Sequence, residues 1–544
     1  MSGLDRASPL PVLTGAAPLL ECAVGCPSVR RRSHWGWGYE DERPSLGELR
    51  AAAAGLAAHL GFGSAEPAQP VPVEAVELPA PRVALPPGLP LARDAHTRAL
   101  HAHGRSYLDV VRGFRGEFRH APDAVATPRD EGELRAVLEW AAGADLAVIP
   151  AGGGTSVVGG VDARPGRHAG AVTLSLRALD RVLDVDHVSR AARIQAGATG
   201  PELERQLAAH GMTLRFYPQS FELSTLGGGL ATRAGGHFAT GPTHVDDLVE
   251  SIRAITATGA TWESRRLPAS GAGPSPDRML LGSEGTLAVI TEAWVRVLPR
   301  AAERRGGAVE FASFAAGAAA VRAIVQEGVR PANCRLIDPR EAALTLAGDG
   351  TAALLVLGFE SSGAPVAEQF DRAAALCREH GGAVREGRGG AAASWRQAFL
   401  RAPYVRDTLV AMGVLTETFE SAITWERLDA FVEEVTGATR AALGPEGLVT
   451  VRLTHAYPDG AAPYFTVVAP ARRGDEEEQW LAVKRAAAGA IIVAGGGITH
   501  HHAIGRDHRP WYDRQRPEPF AAALRAAKSA LDPDGRLNPG VLLG

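Results

Sequence analysis

The stretch Val148-Ile149-Pro150-Ala151-Gly152-Gly153-Gly154-Thr155-Ser156 constrains this chain more than any other. An apolar run halting at Pro150 reads as the end of a strand, and a run of glycine follows it. Glycine costs conformational entropy, so such a run marks a backbone that bends sharply or approaches something closely. Bare successive amides can curl into a concave nest for phosphate oxygens, and Thr155 and Ser156 bring hydroxyls to the same place. Taken alone, a flexible surface turn explains the loop equally well. No Gly-Lys-Ser/Thr follows, so it is not a Walker A loop. It also lacks the G-x-G-x-x-G spacing and downstream acid of a Rossmann turn.

The context argues against a plain turn. A second block runs from Pro218-Gln219-Ser220 through Ser224-Thr225-Leu226-Gly227-Gly228-Gly229 to Ala231-Thr232-Arg233-Ala234-Gly235-Gly236. A third is Gly282-Ser283-Glu284-Gly285-Thr286-Leu287-Ala288-Val289-Ile290-Thr291. Glycine loops dense in Ser and Thr, each flanked by apolar strand text, imply one extended polar ligand held along much of its length. Around them the pattern predicts short strands at 122–128, 146–149, 172–176 and 191–197. It predicts helices at 131–142, where Leu134, Val137, Leu138 and Ala141 share a face, and at 200–207, opened by Pro201. Helical text at 314–327 and 367–379 alternates with a strand at 352–359, and the last hundred residues hold a strand at 464–469 and a helix at 476–488. The expected class is α+β with α/β content.

At 544 residues the chain is too long for one ordinary core. The net charge of -4 gives no support to a nucleic-acid partner. Lys484 and Lys528 are the only lysines, and with the richness in Ala and Gly this reads as a high-GC, bacterial base bias. Cys22, Cys26, Cys334 and Cys377 make no disulfide framework or zinc set, which points to a reducing cytoplasm. No apolar run is long enough to span a membrane, and Arg30-Arg31-Arg32 precedes no apolar h-region of a secretory signal.

Chemistry-bearing residues gather in the second half: Arg335 in Cys334-Arg335-Leu336-Ile337-Asp338, Tyr464 beside Phe465, and the run His500-His501-His502. Histidine changes charge near neutral pH and suits proton abstraction next to a carbonyl. The planar fork of an arginine suits a phosphate or a departing carboxylate, and a tyrosine hydroxyl can pass a proton or fix an oxygen. Each has a plainer explanation. Arg335 could be ion-paired, Tyr464 could pack in an apolar strand, and the histidines could be structural polar groups. A metal site is set aside because neighbours on a strand point to opposite faces.

Together these motifs, with Trp35-Gly36-Trp37-Gly38 and Tyr404-Val405-Arg406-Asp407, resemble the FAD-binding vanillyl-alcohol oxidase and p-cresol methylhydroxylase superfamily. Within it the chain is similar to the alkyldihydroxyacetonephosphate synthase family. The resemblance implies a PCMH-type FAD-binding domain at 95–300, a substrate or cap domain at 301–500 and a segment at 501–544 returning to the FAD domain. Residues 1–94 would be an N-terminal extension that wraps. It implies FAD held by Pro150 to Ser156, Gln219, Ser220, Thr225, Gly228, Thr232 to Gly235 and Glu284 to Ile290. Because the first glycine loop holds no histidine or cysteine, the FAD is expected to be bound without a covalent link.

By the same resemblance Arg335, Tyr464 and His501 are catalytic, with His500 and His502 flanking. The implied reaction replaces the acyl chain of acyl-dihydroxyacetone phosphate by a fatty alcohol, through a flavin–substrate adduct and with no net oxidation. The partner expected is a lipid-like small molecule, with peripheral membrane contact and a homodimer left open. No peroxisomal signal stands at either end. The chain departs from the family at Gln219, where animal members carry an acid. It also departs at Gly241-Pro242-Thr243-His244-Val245-Asp246-Asp247, where relatives more often show Tyr-Gly-Arg or Tyr-Gly-Asn before the acidic pair. The alternative is an FAD oxidoreductase of a 2-hydroxy acid, whose families show Gly-Glu-His-Gly where this chain has Thr499 to Ala503.

Overall fold

Three sheets carry the glycine blocks and the second-half residues to one place in the computed structural model, which describes residues 30–387 and 390–543. Cys22, Cys26 and the start of the proposed N-terminal extension lie outside the described residues. The first sheet has the order Leu91–Ala92, Ala124–Ala126, Gly170–Ser175, Leu146–Ala151 and is parallel apart from its first pair. The second is antiparallel: Val182–Asp186, Ala191–Gln195, Val289–Arg296, Val249–Ile255, Thr261–Glu263. The third is a large antiparallel sheet that includes Asn333–Ile337, Leu448–Ala456, Gly460–Pro470 and Val414–Glu420. The α+β class is as the sequence predicts, with helices such as Glu131–Gly143 and Phe314–Gln326 packing their apolar faces on these sheets.

Proline does not stop the first strand. Leu146–Ala151 runs on through Pro150 because it is an edge strand, where a missing amide costs no ladder bond. The C-terminal tail lies along that edge: the Val148 amide donates to the Arg536 carbonyl at 2.8 Å and the Asn538 amide to the Val148 carbonyl at 2.9 Å. The next residue facing that side is Pro150, which has no amide to offer, and the pairing ends there. Leu537, Val541, Leu542 and Leu543 sink into the core beneath the first two sheets.

The second glycine block differs from the loop expected of it. Leu226–Thr232 is a helix, capped by the Thr225 hydroxyl accepting from the Gly228 amide. Its glycines serve approach rather than bending: a Cβ on Gly227 would meet the Ala196 Cβ at 2.6 Å. Among the described residues no helix is long and apolar enough to cross a membrane.

Candidate active site

The loop after Ala151 is pressed onto the segment that precedes the glycine helix. A Cβ on Gly153 would lie 1.9 Å from the Leu223 carbonyl oxygen, and one on Gly152 would lie 2.0 Å from the Thr225 hydroxyl. Gly154 faces open space, with nothing within 4 Å of its Cβ position. The amides of Gly153, Gly154, Thr155 and Ser156 find no acceptor among the described residues, and the Thr155 and Ser224 hydroxyls stand 3.3 Å apart. Unclaimed amides on a concave loop suit a pyrophosphate, and clustered hydroxyls suit a ribityl chain, so the residues present fit FAD. Gly153→Ala should cost about 1–3 kcal/mol of stability by forced overpacking and displace the loop. FAD per chain, read from the absorbance ratio of purified protein, should fall well below one; full occupancy would mean that the loop adapts.

A cavity of about 210 Å³ is lined by Gly152 to Ser156, Gln219, Ser220, Thr225, Gly228, Thr232, Ala234 and Gly235. The same cavity is lined by Arg335, Tyr464, His501 and His502. An adjoining cavity of about 80 Å³ takes in Pro150, Ala151, Glu284, Gly285, Ala288, Val289 and Ile290 and shares Gly152, Ser156, Gly228 and Thr232 with the first. Most of the sequence-derived set therefore faces one elongated space. Arg233 does not: its guanidinium pairs with Asp246 at 3.1 Å. Thr286 and Leu287 are buried and line neither cavity. His500 sits behind His501, with their Nδ1 atoms 3.0 Å apart.

The triple histidine is on a bend, not a strand, so alternation of faces is no reason to set a metal aside. Glu420, at the end of Val414–Glu420, makes the bend. Its buried carboxylate accepts from the amides of His500, His501 (3.0 Å) and His502 (2.9 Å) and from the Thr499 hydroxyl (2.6 Å). Burial alone would raise the Glu420 pKa, but His502, His500 and these hydrogen bonds outweigh it and hold it at about 2. Potential ligand atoms of His455, His500 and His501, and of Glu420, His501 and His502, lie within 4.8 Å of one another. Against a metal stand the hydrogen bonds already made. His455 is joined to the Gly236 carbonyl at 3.1 Å and to the Thr454 hydroxyl at 3.0 Å, and His501 to His500.

Burial first, then His502 and His500, holds the His501 pKa well below the usual range, so the ring is neutral at physiological pH. Tyr464 stacks against it, with ring centroids 6.1 Å apart and 20° between planes. Arg335, 1% exposed on Asn333–Ile337, has its pKa lowered to about 9, first by burial and then by Arg452, and still carries its charge at neutral pH. Arg452 lies 4.0 Å over the Tyr464 ring and is paired with Glu341. Glu284 accepts from the Ile504 (2.9 Å) and Gly505 (2.8 Å) amides, tying the third glycine block to the residues just after the histidines. Its pKa is raised to about 7 by burial, against the pull of those two bonds.

Sequence reasoning missed Glu420, His455, Arg452 and Glu341. Their signals were weak, being single polar letters inside strand and helix text. A third cavity, of about 280 Å³, is lined by Leu56, Leu60, Leu344, Leu409 and Val468 together with Arg406, Arg452 and Tyr464. Gln219, Arg406, Thr418 and Tyr464 line both this cavity and the first.

Known proteins resemble the chain along most of its length. A family model described as FAD binding domain matches residues 122–265, and one described as FAD linked oxidases, C-terminal domain, matches residues 300–542. An alkyldihydroxyacetonephosphate synthase of Dictyostelium discoideum is 29% identical over 484 residues, 83% of this chain and 78% of that protein. One of Caenorhabditis elegans is 29% identical over 406 residues, 69% of this chain and 68% of that protein. A solved structure of an alkyldihydroxyacetonephosphate synthase matches with a TM-score of 0.79 over 95% of this chain and 100% of that one; at 24% identity this speaks for the fold.

Proposed function

We propose that this chain, whose residues 122–265 and 300–542 match models of an FAD binding domain and of the C-terminal domain of FAD linked oxidases, makes an ether lipid precursor by exchanging the acyl chain of acyl-dihydroxyacetone phosphate for a long-chain alcohol. One observation carries the reading: the glycine loop and the trio Arg335, Tyr464 and His501 line a single cavity. FAD, held by Gly152 to Ser156 and the second and third glycine blocks, supplies an electron-poor ring against which the substrate carbon can be held. Neutral His501 takes the proton from the carbon next to the ketone. Arg335 meets the phosphate or the departing carboxylate with its fork, and the Tyr464 hydroxyl fixes an oxygen. The ester C–O bond breaks, the carboxylate leaves, the alcohol oxygen forms the new bond to the same carbon and gives up its proton to the released acid, and the proton held on His501 returns to the carbon.

The adjoining apolar cavity suits the aliphatic chains, with Arg406 and Arg452 available to the polar head. Such a substrate partitions into bilayers, so peripheral membrane contact belongs to this proposal.

Purified protein incubated with palmitoyl-dihydroxyacetone phosphate and hexadecanol should release palmitate and form the hexadecyl ether in equal amounts, without oxygen uptake. Reduction of the flavin by D-lactate or glycolate, with silence toward the ester, would replace this reading with a hydroxy-acid oxidoreductase.

A further inference from the structure

Behind His501 lies a series of hydrogen bonds whose directions can be worked out one from the next. The His244 Nε2 is 3.0 Å from the His500 carbonyl oxygen. A carbonyl only accepts, so Nε2 bears the proton and a neutral His244 keeps its lone pair on Nδ1. That Nδ1 lies 3.2 Å from the Thr243 hydroxyl, which must donate to it. Having given its one proton, Thr243 accepts from the Tyr457 hydroxyl at 2.9 Å. Tyr457 in turn accepts from His500 Nε2 at 2.8 Å. A neutral His500 then has a bare Nδ1, which accepts from His501 Nδ1 at 3.0 Å. His501 is left with its lone pair on Nε2.

We infer that Thr243, His244, Tyr457 and His500 form a proton wire, which holds His501 in the tautomer whose Nε2 is basic and carries the proton it takes to His244. The inference rests on His501 acting as the base. When Nε2 gains a proton, the Nδ1 proton passes to His500 Nδ1. The His500 Nε2 proton then passes to Tyr457, that of Tyr457 to Thr243, and that of Thr243 to His244 Nδ1. One proton enters at His501 and one positive charge appears on His244, half-exposed beside the exposed Gly241 and Pro242. Reprotonating the carbon runs the wire backward and restores every starting bond.

Two measurements on the FAD-bound, full-length protein test this. Nitrogen NMR of ¹⁵N-histidine-labelled protein, with His501→Gln assigning the resonance, should show the wild-type His501 protonated on Nδ1 and bare on Nε2. Tyr457→Phe should give a mixture of tautomers. A wild-type His501 protonated on Nε2 overturns the inference, and this readout holds whether or not any ether is made. In the transfer assay His244→Ala should lose about tenfold or more in turnover with FAD content unchanged, and added imidazole should restore much of it. Turnover equal to wild type, or a loss that imidazole leaves untouched, reduces His244 to a packing role. A wild type that makes no ether while showing the expected tautomer counts against the transfer reaction and not against the wire.

Discussion

His501→Ala is expected to slow ether formation by about 10²–10⁴-fold, the usual contribution of a positioned general base, while FAD content and melting temperature stay near wild type. The structure supports separating chemistry from folding here. What holds the bend is the backbone: the amides of His500, His501 and His502 bond to Glu420 whatever side chain the middle residue carries. Removing the imidazole therefore leaves the bend in place and deletes only the group that faces the cavity. The ester should still bind, so kcat should fall far more than KM changes. Anaerobic stopped-flow absorbance makes the distinction direct. In the wild type, ester alone should bleach the flavin band and alcohol should restore it without an electron acceptor; the variant should bind ester and not bleach. Wild-type turnover in the variant would remove His501 from the reaction, and loss of FAD would make it structural.

Much of this site was legible because glycine and histidine runs are rare enough to stand out. The blocks at Gly152, Gly228 and Gly285 line adjoining cavities, and Arg335, Tyr464 and His501 meet there from separate segments of the chain. What escaped was whatever depends on a tertiary partner. Glu420 reads as one more polar residue in an alternating strand, and only the fold brings its carboxylate beneath three successive amides. Glu341 and Arg452 are far apart in sequence and each looks exposed until the large sheet buries them together. Pro150 was misread as a stop because its harmlessness depends on the strand being an edge. Gly227 to Gly229 were misread as a loop because only the closeness of Ala196 shows why a helix there would need glycine.

Arg335→Lys should lose about 10²-fold in kcat/KM at pH 8, the worth of one or two charge-assisted hydrogen bonds at about 1.5–3 kcal/mol each. Part of the loss is the fork, which a point charge cannot reproduce. The rest follows from burial. Arg335 is 1% exposed, and burial with the help of Arg452 lowers its pKa to about 9. An arginine starts high enough to stay charged through that shift. A lysine starts about two units lower, so the same environment brings it to roughly neutrality and leaves it largely uncharged at pH 8. The variant should therefore recover part of its activity as pH falls toward 6, where the ammonium forms, a rise the wild type should not show. The base does not interfere in that window, because the His501 pKa is held well below its ordinary value and the ring stays neutral. A pH profile of kcat/KM for both proteins, with FAD content and melting temperature measured alongside, tests the assignment. A flat deficit across pH would leave only the lost fork, and a variant that sheds its flavin or unfolds would make Arg335 a structural cation of the buried sheet.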